Sequence, residues 1–144
     1  MRIVSLVAVL LVVAHGARAY QDAAPSRDAR PEVVVQRFVD AGNARDATAM
    51  AAFVAPNAVF AGFPSGRVIA QTRDGIREHY ARQLQSLPAD FRLTVHPRIV
   101  EGQFVIDQEH FTGLPGGPSQ ATWMYVVRDG LIYRAWALEG TEAP

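Results

Sequence analysis

The chain has no cysteine, no excess of charge of either sign, and no apolar run long enough to cross a bilayer. Without cysteine there is no disulfide framework and no thiol for lipid attachment, so any folded part must be stabilised by its own apolar core. Acidic and basic residues balance at 14 each, which leaves no basic face for nucleic acid or anionic lipid. Internal repeats, a glycine-rich phosphate loop opening a helix, and paired histidines at metal-ligand spacing are also missing from the sequence. We therefore expect no metal, no cofactor, no nucleic-acid partner and no stable membrane anchor.

What is present begins with "MRIVSLVAVLLVVAHGARA", residues 1–19. Arg2 is a short positive start, Ile3 to Ala14 form an apolar core, and Ala17 and Ala19 place small residues where a signal peptidase reads them. The apolar core of about 12 residues falls short of the roughly 20 needed for a span. This pattern predicts a secretory signal cleaved before Tyr20, with export to a periplasm or to the medium. Residues 20–30, polar and with Pro25 near their middle, read as a flexible linker. Residues 31–140 are the size of one domain and long enough to bury a core.

Within that domain, Val34, Val35, Phe38 and Val39 form a helical stripe that starts at Pro31 and closes at Gly42 and Asn43. Asp46 is placed to cap a short second helix that holds Met50 and Phe53 and stops at Pro56. The period then switches to two in "NAVFAGF", with "PSG" as a turn before Val68 and Ile69. Thr72 is placed to cap a third helix with Ile76, Tyr80, Leu84 and Leu87 on one side, ended by Pro88. Four strands follow from Phe91, joined by "EG", "GLPGGPS" and Asp129-Gly130, the last a strong hairpin signal. The order α-α-β-β-α-β-β-β-β with short joins predicts an α+β fold, an antiparallel sheet with helices on one face.

This order, with "VVQRFVDAGNARDATAMAAFVAPNAVFAG", "GIREHYARQL" and "YVVRDGLIYRAWAL", resembles the nuclear transport factor 2-like superfamily and in particular its SnoaL-like and ketosteroid isomerase-like branch. The resemblance implies a curved sheet wrapped around three helices, a cone-shaped, cystatin-like roll with an apolar pocket at its mouth, and pairing as a homodimer through the sheet. It also implies positions for the isomerase groups. The first-helix tyrosine falls at Phe38, the strand base near Gly62 and the second hydrogen-bond donor near Trp123, so only Tyr80 keeps a pocket tyrosine. Steroid isomerisation by that mechanism is therefore rejected, since a base and preorganised donors are both required.

The polar cluster "DQEHF", residues 107–111, must then be weighed by strand alternation. In one phase, taken with Trp123 inward, Phe104, Ile106, Gln108 and His110 face the pocket and His110 is a candidate acid or base. In the other, Asp107 and Glu109 face inward, and burial would raise their pKa values toward neutrality. A one-residue bulge exchanges the two. Phe38, Phe60, Tyr80, Phe104, Trp123, Tyr125 and Tyr133 are the candidate pocket residues, His79 belongs at its margin, and Arg134 with Trp136 suits an outer, dimer-forming face. The expectation is an exported domain with a pocket for a small hydrophobic molecule, of undetermined activity. The alternative is a proton-transfer enzyme of isomerase, dehydratase or cyclase type that uses His110 or Asp107, with Glu109 as a third catalytic candidate.

Overall fold

The computed structural model describes residues 26–140. The expected leader and most of the linker lie outside the described residues. Helix α1, Pro31–Asn43, starts on its proline and buries Val34, Val35, Phe38, Val39 and Ala41. Helix α2, Ala47–Ala52, is capped by Asp46, whose carboxylate accepts the Ala49 N–H at 2.8 Å. It ends before Pro56, which lies exposed inside strand β1, Val54–Phe63. Pairing of β1 with its neighbour slips between Val54 and Val59, the stretch where proline has no N–H to give a ladder.

Strand β2, Val68–Gln71, leads into helix α3, Arg73–Ser86, where the Thr72 hydroxyl accepts the Gly75 N–H at 3.2 Å. The far end of α3 is closed by Arg45, whose guanidinium donates to the carbonyls of Leu84, Leu87 and Pro88. Those groups would otherwise lack partners beyond the last helical turn.

Strands β3, Arg92–Glu101, β4, Phe104–Thr112, β5, Ser119–Arg128, and β6, Leu131–Leu138, complete a six-stranded open sheet in the order β2-β1-β6-β5-β4-β3. The hairpins are antiparallel as expected, and Asp129 and Gly130 both take positive φ in the β5–β6 turn. One pair departs from the expectation: β1 and β6 run parallel, so the sheet is mixed. No hairpin constrains this pair, because β2, α3, β3, β4 and β5 intervene between them. Irregularities at Phe60/Ala61, between Val95 and Arg98, and at Val126/Val127 interrupt the ladders and bend the sheet.

The helices fill the concave side. Helix α1 packs across β3 to β6 and α3 packs on β1 and β2. Phe38, Phe60, Tyr125, Ile76, Ile132 and Val105 are among the residues of the core cluster between the two layers. The Asn43 side chain pairs with both backbone groups of Leu93, which fixes the end of α1 to edge strand β3. Between that edge and α3 the layers part, and a cavity opens.

Candidate functional site

The cavity measures about 500 Å³ and lies between α3, the inner faces of β4 and β5, and the β4–β5 connection. Its walls are mostly apolar: Phe38, Met50, Leu84, Leu93, Phe111 and Trp123 are among them. Phe38 stands edge-on to Phe60, Tyr80 and Tyr125, with centroids 6.0, 5.5 and 6.3 Å away, so the inner end is an aromatic cluster locked by T-shaped contacts. Trp123 stacks on Tyr125 at 6.1 Å.

Cross-strand pairing decides the phase of "DQEHF". Val105 lies opposite Tyr125, Asp107 opposite Trp123 and Glu109 opposite Ala121, and directly opposed residues share a face. Asp107 and Glu109 therefore point inward, with 0% and 5% exposure. The phase that put Phe104, Ile106, Gln108 and His110 inside is corrected: Phe104 is 39% exposed, on the opposite face. His110 shares that outer face, and its Nε2 lies 2.8 Å from the His96 carbonyl, on the neighbouring strand.

The two buried acids have different surroundings. Both Asp107 oxygens are held by Arg98, with Nε and Nη2 at 2.7 Å, and Arg98 Nη1 continues to the Glu32 carbonyl and the Gln36 side chain on α1. Asp107 is thereby fully engaged, and it does not line the cavity. Glu109 does line it, and its one hydrogen bond is from the Tyr125 hydroxyl at 2.8 Å. Burial raises the Glu109 pKa from 4.5 to about 7, and the Asp107 charge adds to the rise. The Tyr125 hydrogen bond and Arg98 oppose it. Burial and the Glu109 charge push both Tyr80 and Tyr125 upward, so both remain protonated donors. Tyr125 donates its hydrogen bond to Glu109, whereas the Tyr80 hydroxyl, also on the cavity wall, has no such partner among the described residues.

Of the other expected pocket residues, Phe60 sits behind the lining as part of the core. Tyr133, expected to face the cavity, is the unpaired residue of the β5–β6 bulge, and the guanidiniums of Arg128 and Arg134 lie 5.3 and 4.3 Å from the centre of its ring. It is not on the cavity wall. His79, expected at the margin, does line the cavity, and burial followed by the nearby Arg82 lowers its pKa. Arg67 at the rim, Arg98 behind Asp107 and the Tyr125–Glu109 bond were not anticipated from the sequence. Among the described residues no three His, Cys, Asp or Glu side chains converge as metal ligands, and no helix is long and apolar enough to cross a membrane.

Three helices in the concavity of a bent open sheet agree with the family comparison, in which the SnoaL-like domain matches residues 35–135. The chain belongs to the SnoaL-like family. Solved structures of this NTF2-like class share its fold. A cystatin-fold protein from Novosphingobium aromaticivorans superposes with a TM-score of 0.68 at 18% identity, covering 77% of this chain and 99% of that one. A Kribbella flavida protein provisionally named a ketosteroid isomerase gives 0.63 at 23% identity, with 79% and 82% covered. A Sinorhizobium meliloti protein provisionally named a polyketide cyclase gives 0.62 at 21% identity, with 76% and 99% covered. A search of curated proteins finds no match. At these identities the solved structures establish the fold, and the chemistry must come from the cavity itself.

Proposed function

We propose that this SnoaL-like domain takes a small, mostly apolar, oxygen-bearing molecule into the cavity and moves a proton on it, with Glu109 as acid and base. The supporting observation is a single carboxyl on an apolar cavity wall, almost fully buried and poised near neutrality. In its ionised form Glu109 removes a proton from carbon next to a carbonyl, while the Tyr80 O–H donates to the carbonyl oxygen on which negative charge develops. The neutral Glu109 so formed returns its proton to another carbon, as in an isomerisation, or to a departing hydroxyl, as in a dehydration.

This reading can be tested by the exchange of α-protons for deuterium in a panel of lipophilic ketones, followed by NMR in D₂O. Glu109→Gln should slow exchange by roughly 10²–10⁴-fold with ligand affinity retained. Exchange at the wild-type rate in that variant would remove Glu109 from the chemistry. One observation favours a second reading, a binding domain without turnover: Tyr125 is committed to Glu109, so a developing oxyanion would have Tyr80 as its single tyrosine donor. That reading holds if ligands bind and wild type catalyses no exchange.

We also propose export after cleavage near Ala19 and pairing of two copies through the outer face of the sheet. Ile99, Ile106, Met124 and Trp136 follow one another across β3, β4, β5 and β6, flanked by the exposed Phe104 and Leu138. Such an apolar band on a solvent face is characteristic of an interaction surface. Light scattering should give twice the chain mass at micromolar concentration and the chain mass after Met124→Glu. A wild-type monomer would refute the pairing.

A further inference from the structure

The cavity wall carries one side chain with a permanent charge, Arg67, from the turn between β1 and β2. Its surroundings leave it underused. Its guanidinium makes no hydrogen bond among the described residues, and its one ion pair is a 3.7 Å contact to Glu139, with 73% of the Arg67 side chain exposed. Glu139 is held without it: the Ser65 hydroxyl and N–H donate to its two oxygens at 2.9 and 3.3 Å. The carboxylate of Glu139 also lies over Gly62, where a Cβ would overlap it, so the missing side chain on β1 is what lets Glu139 fold in. Five guanidinium donors are thus presented at the rim with one loose partner, a geometry suited to a carboxylate or sulfonate.

The other ionisable groups on the wall dictate the ligand's orientation. Glu109, ionised in part at neutral pH, repels an anion from the inner end, and Tyr80, Tyr125 and the half-buried His79 offer no positive charge there. We infer that the molecule bound in this cavity is an amphipathic anion, its apolar body against Phe38, Leu84 and Trp123 and its acidic group held by Arg67 at the rim. This rests on the cavity reading above and adds the chemical class of the ligand.

Two fluorescent probes that share a ring system test it: neutral N-phenyl-1-naphthylamine and its sulfonate, 1-anilinonaphthalene-8-sulfonate. Arg67→Gln should weaken the sulfonate by roughly three- to tenfold and abolish the salt dependence of its binding, while changing the neutral probe by less than about twofold. Equal effects on both probes, or none on either, would overturn the inference. Leu84→Trp and Gln83→Trp, which plug the cavity from two neighbouring positions on α3, separate this failure from failure of the cavity reading. If neither plug weakens the neutral probe, the probe does not occupy the cavity and both readings fall. If the plugs weaken it and Arg67→Gln does not discriminate, the acidic-ligand inference alone is lost.

Discussion

Arg98→Met should cost about 3–5 kcal/mol of folding stability, read as a lower urea midpoint, although Arg98 touches no wall of the cavity. The reason is Asp107, which has no exposed surface and receives both of its charge-assisted hydrogen bonds from Arg98. Removing the guanidinium leaves a buried carboxylate unpaired, and also frees the Glu32 carbonyl and the Gln36 side chain that the third nitrogen serves. The pair itself is no measure of net stabilisation, because desolvating two charges offsets most of their attraction. Arg98→Met combined with Asp107→Leu should therefore recover most of the loss. A single-variant cost below about 1 kcal/mol would show that Asp107 is paired or solvated in some other way.

The same pair explains which part of the site was legible beforehand. Helical stripes, caps at Asp46 and Thr72, and the Asp129-Gly130 turn are local, and each was found where periodicity and turn chemistry placed it. The phase of β4 is not local. Phe104 and Ile106 recommend one face, Val105 and Phe111 the other, and the presence of two acids argues against burying the face that is in fact buried. What decides is the neighbouring strand. The tight turn that pairs Glu101 with Phe104 brings Arg98 opposite Asp107, so the charge is neutralised as it is buried. Reading the hairpin as a pair, rather than each strand alone, would have exposed that match. The parallel pairing of β1 with β6 has no comparable signal, since neither strand reports its distant neighbour.

Glu109→Gln should make the protein more stable above pH 7 while removing its proton chemistry. In the folded state Glu109 holds its proton up to about pH 7, against a reference value of 4.5 for the unfolded chain. Below about pH 4.5 both states are protonated and the group imposes no penalty. As pH rises toward 7 the unfolded chain ionises first, so the folded state loses stability across that window and levels off above it. The loss amounts to roughly 3 kcal/mol at pH 8, from the difference in proton affinity. A glutamine can still accept the Tyr125 hydroxyl but cannot ionise, so the variant should lack this part of the decline between pH 5 and pH 8. Urea midpoints of wild type and variant at those two pH values give the comparison, and subtracting one protein's pH dependence from the other's cancels the contribution of the histidines. An identical pH dependence in both would mean that Glu109 ionises in the folded protein as it does in water, and a carboxyl of that kind has no neutral form to return a proton near pH 7. A decline confined to wild type would instead show that the domain gives up stability to keep an ionisable group on an apolar wall, a cost that a domain used for packing alone would have no reason to retain.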